Sequence, residues 1–300
     1  MKLRRSPLFY VGDKYKLAAQ LLPLFPKEIG LFVEPFAGGG SISLNVDAKK
    51  IVLNDSNPFV ASLHKWLQSQ ESSEELLSRL QARIKQLHLK SSYFGDTVPA
   101  ELKVAHPKTY FARRNKAAYE AFRGEFNKTD KSDMLDFFVL LIFGFNRMIR
   151  TNSLGEFNVP VGNVDFNSNV AKALEGYLDW AKSTRVKTFN LDYEKCVSRL
   201  KLDSDSFLYF DPPYLIAQTE YNKGWSKDDE ARFLDYLDSL SQLGHRWALS
   251  NVLTYRGNTN ELLANWSQKY DIVNLSANYI NYHDNADKKP GEVLIRNYDN

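Results

Sequence analysis

The segment "GLFVEPFAGGGSISLNV", residues 30–46, decides the fold of this 300-residue chain. Its apolar start predicts a buried strand over Leu31–Val33, which Pro35 brings to an end. Three consecutive glycines at residues 38–40 follow, and Ser41 is a residue typical of a helix start. A strand, a glycine loop and a helix in this order predict the opening of a parallel α/β sheet.

The stretch "KKIVLNDSNP" at residues 49–58 predicts a second strand, which ends at Asn54 and Asp55. Strand and helix patterns alternate again after residue 185, where residues 226–243 predict a helix. Five more stretches predict strands: "VKTFNLDY" (186–193), "SFLYF" (206–210), "RWALSNVL" (246–253), "DIVNLSANYI" (271–280) and "EVLIRNY" (292–298). We therefore expect an α/β core with strands from both ends of the chain.

The middle of the chain lacks this alternation. Helical patterns predominate after residue 57, and the apolar run "MLDFFVLLIFGF" at 134–145 predicts a buried helix. The stretch "NRMIRTNSLGEFNVPVGN" at 146–163 is rich in Asn, Gly and Pro between β-formers, which predicts a hairpin or a long loop. The predicted organisation is a core of residues 1–57 plus 186–300, with a mostly helical domain inserted at 58–185 that carries a β-hairpin.

Composition excludes several classes of protein. Cys196 is the single cysteine, so the chain has no internal disulfide and no cysteine-based zinc site, and the scattered histidines predict no metal. The run at 134–145 is too short to span a bilayer, and the N-terminus lacks a signal-peptide pattern. We expect a cytoplasmic protein without a membrane partner. Its net charge of +3 means that any nucleic-acid surface depends on local basic residues.

The glycine loop favours a nucleotide-like ligand, because glycines let the backbone approach a ligand closely. The glycines are contiguous, which differs from the spaced pattern of NAD sites. Glu34, just before the loop, would repel a pyrophosphate but could hold a cationic amino group such as that of S-adenosylmethionine. Asp55 ends the next strand, where a carboxylate can accept bonds from two ribose hydroxyls. The alternative, a solvated turn, remains open on the glycines alone.

The stretch "SFLYFDPPY", residues 206–214, ends an apolar strand at Asp211 and continues with two prolines. Prolines carry no N–H, so we expect this corner to present acceptors with no local donor to occupy them. Two acceptors suit a planar exocyclic amine, since they localise its lone pair for attack on an electrophile. Tyr214 offers a ring on which a base can stack, and an aspartate with an ordinary pKa near 4 would be ionised. The alternative is a rigid turn with a capping aspartate.

Together these motifs resemble the Dam family of DNA adenine N6 methyltransferases, of the D12 class and the alpha group of amino-methyltransferases. "FYVGDKY" (9–15), "EPFAGGGS" (34–41), "NDSN" (54–57), "NLDY" (190–193) and "DPPY" (211–214) stand in the family's order, and the resemblance covers nearly the whole chain. It implies a Rossmann-like S-adenosylmethionine-dependent methyltransferase core with an inserted DNA-recognition domain, and catalysis by Asp211, Pro212, Pro213 and Tyr214. It implies that the cofactor contacts Tyr10, Gly12, Lys14, Glu34, Pro35, Phe36, Ala37, Gly38, Gly39, Gly40, Ser41, Asn54, Asp55, Asp192, Tyr193 and Asp211.

The stretch at 146–163 resembles the family's recognition hairpin. The resemblance implies that the side chains approaching the duplex are Asn146, Arg147, Met148, Arg150, Asn152, Pro160 and Asn163. Arginine can read guanine edges and asparagine can read adenine. Arg113, Arg114 and Lys116 on a preceding helix are candidate phosphate contacts, although a solvated surface remains the alternative for both groups. Relatives that methylate GATC usually carry basic residues where this chain has Asn163 and Val164, which puts GATC in doubt.

The function implied is site-specific methylation of adenine N6 by S-adenosylmethionine, on an adenine flipped out of a short site in double-stranded DNA. The site is GATC or a different short motif, and a cognate restriction endonuclease as a further partner remains open. One alternative keeps the fold and changes the acceptor to cytosine N4 or an RNA base. The other is a non-catalytic DNA-binding relic, against which the intact motifs argue.

Overall fold

The structure is a computed structural model that describes residues 3–217, 224–276 and 291–299. The chain separates into two compact units. The sheet unit comprises Lys14–Ser56 and Thr184–Asn300, and the helical unit comprises Lys2–Asp13 and Asn57–Ser183. The predicted roles, a cofactor-binding and catalytic domain at 1–57 plus 186–300 and an inserted DNA-recognition domain at 58–185, stay predictions.

The strands, in chain order, are β1 Leu31–Glu34, β2 Lys50–Asn54, β3 Arg185–Phe189, β4 Ser206–Phe210, β5 Arg246–Val252, β6 Thr254–Tyr255, β7 Asn258–Thr259, β8 Asp271–Asn274 and β9 Glu292–Arg296. The α-helices are α1 Ala18–Leu21, α2 Pro58–Gln68, α3 Ser73–Gln86, α4 Ala100–Ala105, α5 Tyr110–Lys128, α6 Met134–Phe143, α7 Ser168–Ser183, α8 Tyr193–Ser198, α9 Lys227–Gln242 and α10 Glu261–Trp266. Short 3₁₀ turns occupy Leu22–Leu24, Phe145–Arg147 and Ser267–Lys269. Of the strand predicted at 271–280, residues 277–280 lie outside the described residues.

The described part of the sheet unit forms a seven-stranded sheet in the order β3-β2-β1-β4-β5-β9-β8. Strands β1 to β5 pair in parallel, whereas β9 runs antiparallel to β5 and to β8. The carboxyl ends of β1, β2, β4 and β5 therefore lie at one edge, together with the amino end of β9. This confirms the predicted Rossmann-like α/β core.

The central strands are apolar because they are covered on both faces. All five residues of β4 are buried, and Leu208 lies opposite Trp247 of β5 in the register. Helix α9 packs Phe233 and Leu237 into the same apolar cluster. Its amino end carries the reciprocal capping box of Ser226 and Asp229, so the sequence sets the start of this helix locally.

The helix predicted from Ser41 is wrong. Residues 41–46 form hydrogen-bonded turns, with Leu44 N–H donating to Gly40 O at 3.0 Å and Val46 N–H donating to Ile42 O at 2.9 Å. The chain must enter β2 at Lys50, so the segment is too short to extend these turns into a stable helix.

The helical unit packs α2, α3, α6 and α7 against one another. Phe137–Phe143 of α6 are all buried, and Arg83 on α3 binds Asp136 through two hydrogen bonds of 2.6 Å. After α6, antiparallel bridges join Gly144 to Val161 and Thr151 to Phe157. Within the described ranges, no helix combines the length and apolar character needed to cross a membrane.

Candidate active site

The predicted site residues of the sheet unit gather at the edge where the strand order reverses. Glu34 ends β1, Asn54 ends β2 and Asp211 directly follows β4. Strand β1 lies between β2 and β4, so the connections from β1 and β4 leave the sheet side by side. Ligands of open α/β sheets bind at such a reversal.

The glycine segment is held in an open turn by the end of β2. Gly38 and Gly40 have φ values of 47° and 68°, which favour glycine over residues with a side chain. Gly38 N–H donates to Asp55 Oδ2 at 2.9 Å, so the predicted ribose-binding acid also shapes the glycine turn. Ser41 Oγ is buried and makes no hydrogen bond among the described residues. An unsatisfied hydroxyl beside an open backbone turn is a feature of a ligand site.

Asn54 fixes the neighbouring connection. Its amide nitrogen donates to Pro35 O and Leu191 O, both at 2.9 Å, and its oxygen accepts Leu191 N–H at 3.0 Å. The side chain thus joins the segments after β1 and β3 into one wall of the crevice.

Glu34 is buried and bound to the segment after the glycines. Its Oε2 accepts Ser43 N–H at 3.2 Å and the Ser43 hydroxyl. Burial raises the pKa of Glu34 to about 8, against the lowering effect of the Ser43 bonds. Burial therefore favours the protonated form of Glu34, and its predicted contact with a cationic amino group stays a prediction.

We expect Glu34→Gln to remove part of the pH dependence of stability. Between pH 4.5 and 8 the folded protein binds a proton at Glu34 that the unfolded chain has lost, so the free energy of unfolding falls as pH rises. At about 1.4 kcal/mol per pKa unit, this loss amounts to a few kcal/mol by pH 8. Urea unfolding at pH 5 to 8 should show a flatter profile for Glu34→Gln. The exposed Glu28→Gln serves as control, and equal slopes in all three proteins would contradict the assignment.

Aromatic rings line a pocket at the same edge. Phe36 stacks on Tyr193 with ring centroids 5.3 Å apart, and Trp225 meets Phe36 edge-on at 6.0 Å. Asp192 caps α8 by accepting Glu194 N–H at 3.0 Å. The pocket is lined by Pro35, Phe36, Ser56, Leu191, Asp192, Tyr193, Trp225 and Arg232. Trp225, just before α9, and Arg232 within it were not predicted, because nothing in the sequence marks which residues of a distant segment reach this pocket.

Asp211 has donors on both carboxylate oxygens. Lys14 Nζ donates to Oδ2 at 2.8 Å, and the Tyr214 hydroxyl donates to Oδ1 at 3.0 Å. The expectation of a corner without local donors is therefore wrong, since prolines remove backbone donors but not side-chain ones. Burial raises the pKa of Asp211, and Lys14 and Tyr214 oppose that rise.

Glu292, at the start of β9, joins this cluster and was missed by the sequence analysis. Its side chain is 1% exposed, and its Oε1 lies 3.8 Å from Lys14 Nζ and 3.4 Å from the Tyr214 hydroxyl. The available signal was a carboxylate next to an apolar strand, as at Asp211. Lys14, predicted as a cofactor contact, is found between two carboxylates.

The predicted DNA-contacting residues all lie in the helical unit, as do Tyr10 and Gly12. Arg113, Lys116, Asn146 and Pro160 are exposed, and Met148 is half-buried. Arg114 lies 4.0 Å from Asp96. The side chains predicted to contact DNA therefore differ in their exposure to solvent.

Two side chains predicted to contact DNA form hydrogen bonds within the hairpin. Arg150 donates to Asn158 Oδ1 at 2.8 Å and to Asn158 O at 3.1 Å. Asn152 Oδ1 accepts Leu154 N–H at 3.0 Å and Glu156 N–H at 2.9 Å, which builds the hairpin turn.

Arg147 and Asn163 also contact other residues of the helical unit. The Arg147 guanidinium lies 3.9 Å from the centroid of the Phe9 ring, and burial together with Arg5 lowers its pKa to about 10. Asn163 Oδ1 accepts Phe111 N–H at 2.9 Å and Ala112 N–H at 3.2 Å, the second and third residues of α5.

We expect Asn163→Ala to lower the free energy of unfolding by about 1 kcal/mol, because it removes the acceptor that satisfies the first turn of α5. Chemical denaturation measures this loss, with the exposed Asn169→Ala as control. An unchanged stability in Asn163→Ala would show that the capping bonds contribute nothing.

The described residues contain no group of three or more His, Cys, Asp or Glu side chains that could hold a metal ion. Cys196 is buried, and burial raises the pKa of its thiol to about 12.

A family model and several individual relatives assign the chain to the same family. Residues 10–280 match the family of D12 class N6 adenine-specific DNA methyltransferases. The chain is 35% identical over 305 residues to the type II methyltransferase M.FokI of Planomicrobium okeanokoites, and 35% identical over 309 residues to the modification methylase StsI of Streptococcus sanguinis. Both alignments cover 99% of this chain and 43% of the relative, so the chain spans less than half the length of these two proteins.

A relative of more similar length supports the same grouping. The DNA adenine methylase of Vibrio cholerae is 29% identical over 252 residues, which is 81% of this chain and 79% of that protein. The chain therefore belongs to the family of D12 class N6 adenine-specific DNA methyltransferases.

Proposed function

We propose that this protein is a site-specific DNA methyltransferase that modifies adenine N6 on a base flipped out of duplex DNA. The observation that carries the proposal is the position of Asp211, which follows β4 at the strand-order reversal and has the Tyr214 side chain beside it. That arrangement places a carboxylate and an aromatic ring next to a crevice suited to a nucleoside. Family membership makes S-adenosylmethionine the implied methyl donor.

The sheet-unit residues fit such a donor. The rings of Phe36, Tyr193 and Trp225 suit an adenine, and Asp55 suits the ribose hydroxyls while it holds Gly38. Ser41 Oγ, buried without a described partner, can bind the polar end of the molecule. When bound, S-adenosylmethionine supplies a methyl group activated by its sulfonium. Among the predicted cofactor contacts, Pro35, Asn54 and Asp192 build the walls of this crevice. Glu34, Lys14 and the other predicted contacts are proposed to bind the donor.

Asp211 has three tasks in this proposal. Its oxygens accept the hydrogens of the exocyclic amine and localise its lone pair, which an aromatic amine otherwise delocalises. The carboxylate then stabilises positive charge on the nitrogen and accepts the proton released after transfer. Tyr214 offers its ring for base stacking, worth about 1 to 3 kcal/mol, and Pro212 and Pro213 keep the corner rigid.

The helical unit supplies the proposed DNA contacts. Arg113, Lys116 and Asn146 are exposed side chains able to bind phosphates or base edges, and the hairpin provides Met148 and Pro160. Asn152, Arg150 and Asn163 support the hairpin and α5, so their proposed part in recognition includes shaping this surface. Flipping the base costs a few kcal/mol, which contacts to the duplex must offset.

Sequencing of methylated positions in DNA exposed to the purified protein tests the proposal. We expect methylated adenines within one short motif. Because Asn163 and Val164 replace the basic residues typical of GATC enzymes, a motif other than GATC is the expected result. Random or absent methylation would contradict a site-specific enzyme.

Two alternatives give different outcomes in the same assay. A cytosine N4 enzyme would mark cytosine, and an RNA enzyme would leave DNA unmodified but methylate RNA. A DNA-binding relic would bind DNA and transfer nothing. The intact Glu34, Asp55 and Asp-Pro-Pro-Tyr residues at 211–214 favour an active enzyme, because a relic gains nothing from keeping them.

Two of the relatives are named as a type II methyltransferase and a modification methylase, which suggests a biological setting. We propose that the protein acts in the cytoplasm of a bacterial or phage-infected cell as the modification part of a restriction-modification system. Its partners would be double-stranded DNA and a cognate endonuclease. Protection of DNA from a nuclease encoded nearby tests this assignment.

A further inference from the structure

We propose that Glu292 is a positioning residue that receives Lys14 and Tyr214 from Asp211 when the target amino group arrives. This inference rests on the proposed function and deepens it, because it names how Asp211 becomes available. Three observations carry it: the placement of Glu292, the occupation of Asp211, and the reach of both donors to one oxygen.

The sheet places Glu292 beside the catalytic corner. Strand β9 runs antiparallel to β5, with Glu292 opposite Val252, so the first residue of β9 lies at the edge reached by the last residues of β4 and β5. Glu292 is buried, and its main-chain carbonyl accepts Leu275 N–H at 2.9 Å. Its backbone is thus fixed on both sides, and the side chain is anchored where Asp211 begins.

Asp211 is engaged in a way that opposes amine methylation. An ammonium 2.8 Å from Oδ2 neutralises the carboxylate and repels the positive charge that develops on the attacking nitrogen. The Tyr214 hydroxyl has one hydrogen to donate, and its shorter hydrogen bond, of 3.0 Å, is to Asp211 Oδ1. Full use of Asp211 by an exocyclic amine therefore requires both donors to have another acceptor nearby.

Glu292 Oε1 is that acceptor for both donors. It forms a long ion pair of 3.8 Å with Lys14 Nζ and a long hydrogen bond of 3.4 Å with the Tyr214 hydroxyl, whereas the same donors lie 2.8 Å and 3.0 Å from Asp211. A shift of about 1 Å by Lys14 would shorten its ion pair with Glu292 to ordinary hydrogen-bond length. Glu34 offers no equivalent, since its Oε2 is bound to Ser43. The cluster therefore has two arrangements of the same donors, and the second leaves Asp211 to the substrate.

Kinetics of Glu292→Gln test the inference in the wild-type and Lys14→Met backgrounds. Glutamine keeps the size and one acceptor oxygen but removes the charge that attracts Lys14. We expect kcat to fall at least about tenfold, a coupling typical of residues in one polar network, with KM for S-adenosylmethionine and Kd for duplex DNA within about twofold. In Lys14→Met the effect of Glu292→Gln should shrink to less than about threefold. The exposed Glu261→Gln is the matched control.

An effect of Glu292→Gln that is equally large in both backgrounds would overturn the inference, since it would show a role independent of Lys14. The same holds for a loss confined to KM or to thermal stability. A cycle with Tyr214→Phe in place of Lys14→Met serves if the lysine variant does not fold. It should also show a reduced effect.

A crystal structure of Asp211→Ala tests the inference without methyl transfer. Removing the carboxylate should bring Lys14 Nζ from 3.8 Å to about 2.8 Å from Glu292 Oε1. A lysine that stays at 3.8 Å or turns away from Glu292 would overturn the inference even if the wild-type protein methylates adenine. Conversely, a wild-type protein without activity would reject the proposed function while this distance still decides the role of Glu292.

Discussion

Asp211→Ala is expected to reduce methyl transfer to adenine at least about 1,000-fold while S-adenosylmethionine affinity changes by less than about threefold. One preorganised electrostatic contact typically contributes 100-fold to 1,000-fold, and Asp211 supplies two acceptor oxygens and a proton acceptor. The proposed cofactor contacts Phe36, Tyr193 and Asp55 are unchanged by the substitution. Single-turnover transfer of a labelled methyl group measures the rate, and calorimetry measures the affinity.

Two further variants sharpen this test. Asp211→Asn keeps one acceptor but replaces the other with a donor, so we expect a rate between those of wild type and Asp211→Ala. Asp235→Ala removes an exposed aspartate of α9 and should leave the rate unchanged. Turnover of Asp211→Ala near the wild-type rate would reject the role assigned to this carboxylate.

Asp55→Ala is expected to weaken S-adenosylmethionine binding about 100-fold, with a smaller effect on kcat at saturating cofactor. The carboxylate holds Gly38 N–H at 2.9 Å and is the proposed acceptor of ribose hydroxyls. Bonds to a charged group contribute about 1.5 to 3 kcal/mol each, and a 100-fold loss corresponds to about 2.7 kcal/mol. Calorimetric titration with the cofactor measures this change directly.

The exposed Asp47→Ala is the control for Asp55, because it removes the same charge from the same stretch of chain. It should bind the cofactor like the wild type. Unchanged binding in Asp55→Ala would place the ribose elsewhere, and equal losses in both variants would indicate a nonspecific effect of charge.

The parallel core was predictable from the sequence because local signals agree with the tertiary fold. Apolar runs such as 206–210 are buried on both faces, and the capping box at Ser226 starts α9 where the pattern predicts it. The segment after Ser41 was not predictable in this way. Its serine suits a helix start, but the short path into β2 leaves only turns.

The site was predictable only where its residues follow parallel strands. Glu34 ends β1, and Asp55 and Asp211 directly follow β2 and β4, so their shared edge follows from the strand directions. Glu292 begins its strand, and it reaches the same edge because β9 is antiparallel. Sequence patterns do not encode strand direction, so a carboxylate at the start of an apolar strand did not indicate that it lies at this edge.

Partners of side chains were the least predictable feature. The two prolines remove backbone donors near Asp211, yet Lys14 comes from 197 positions away to occupy the carboxylate. Asn163 was expected at the DNA, but it caps the first turn of α5. Contacts between distant segments depend on the finished fold, which short motifs do not specify.

The central claim concerns the atom that receives the methyl group. Duplex DNA incubated with the protein and isotopically labelled S-adenosylmethionine can be digested to nucleosides and analysed by mass spectrometry. The account predicts the label in N6-methyl-2′-deoxyadenosine, with none in the Asp211→Ala reaction. Label in N4-methyl-2′-deoxycytidine, or a labelled product that persists in Asp211→Ala, would contradict it.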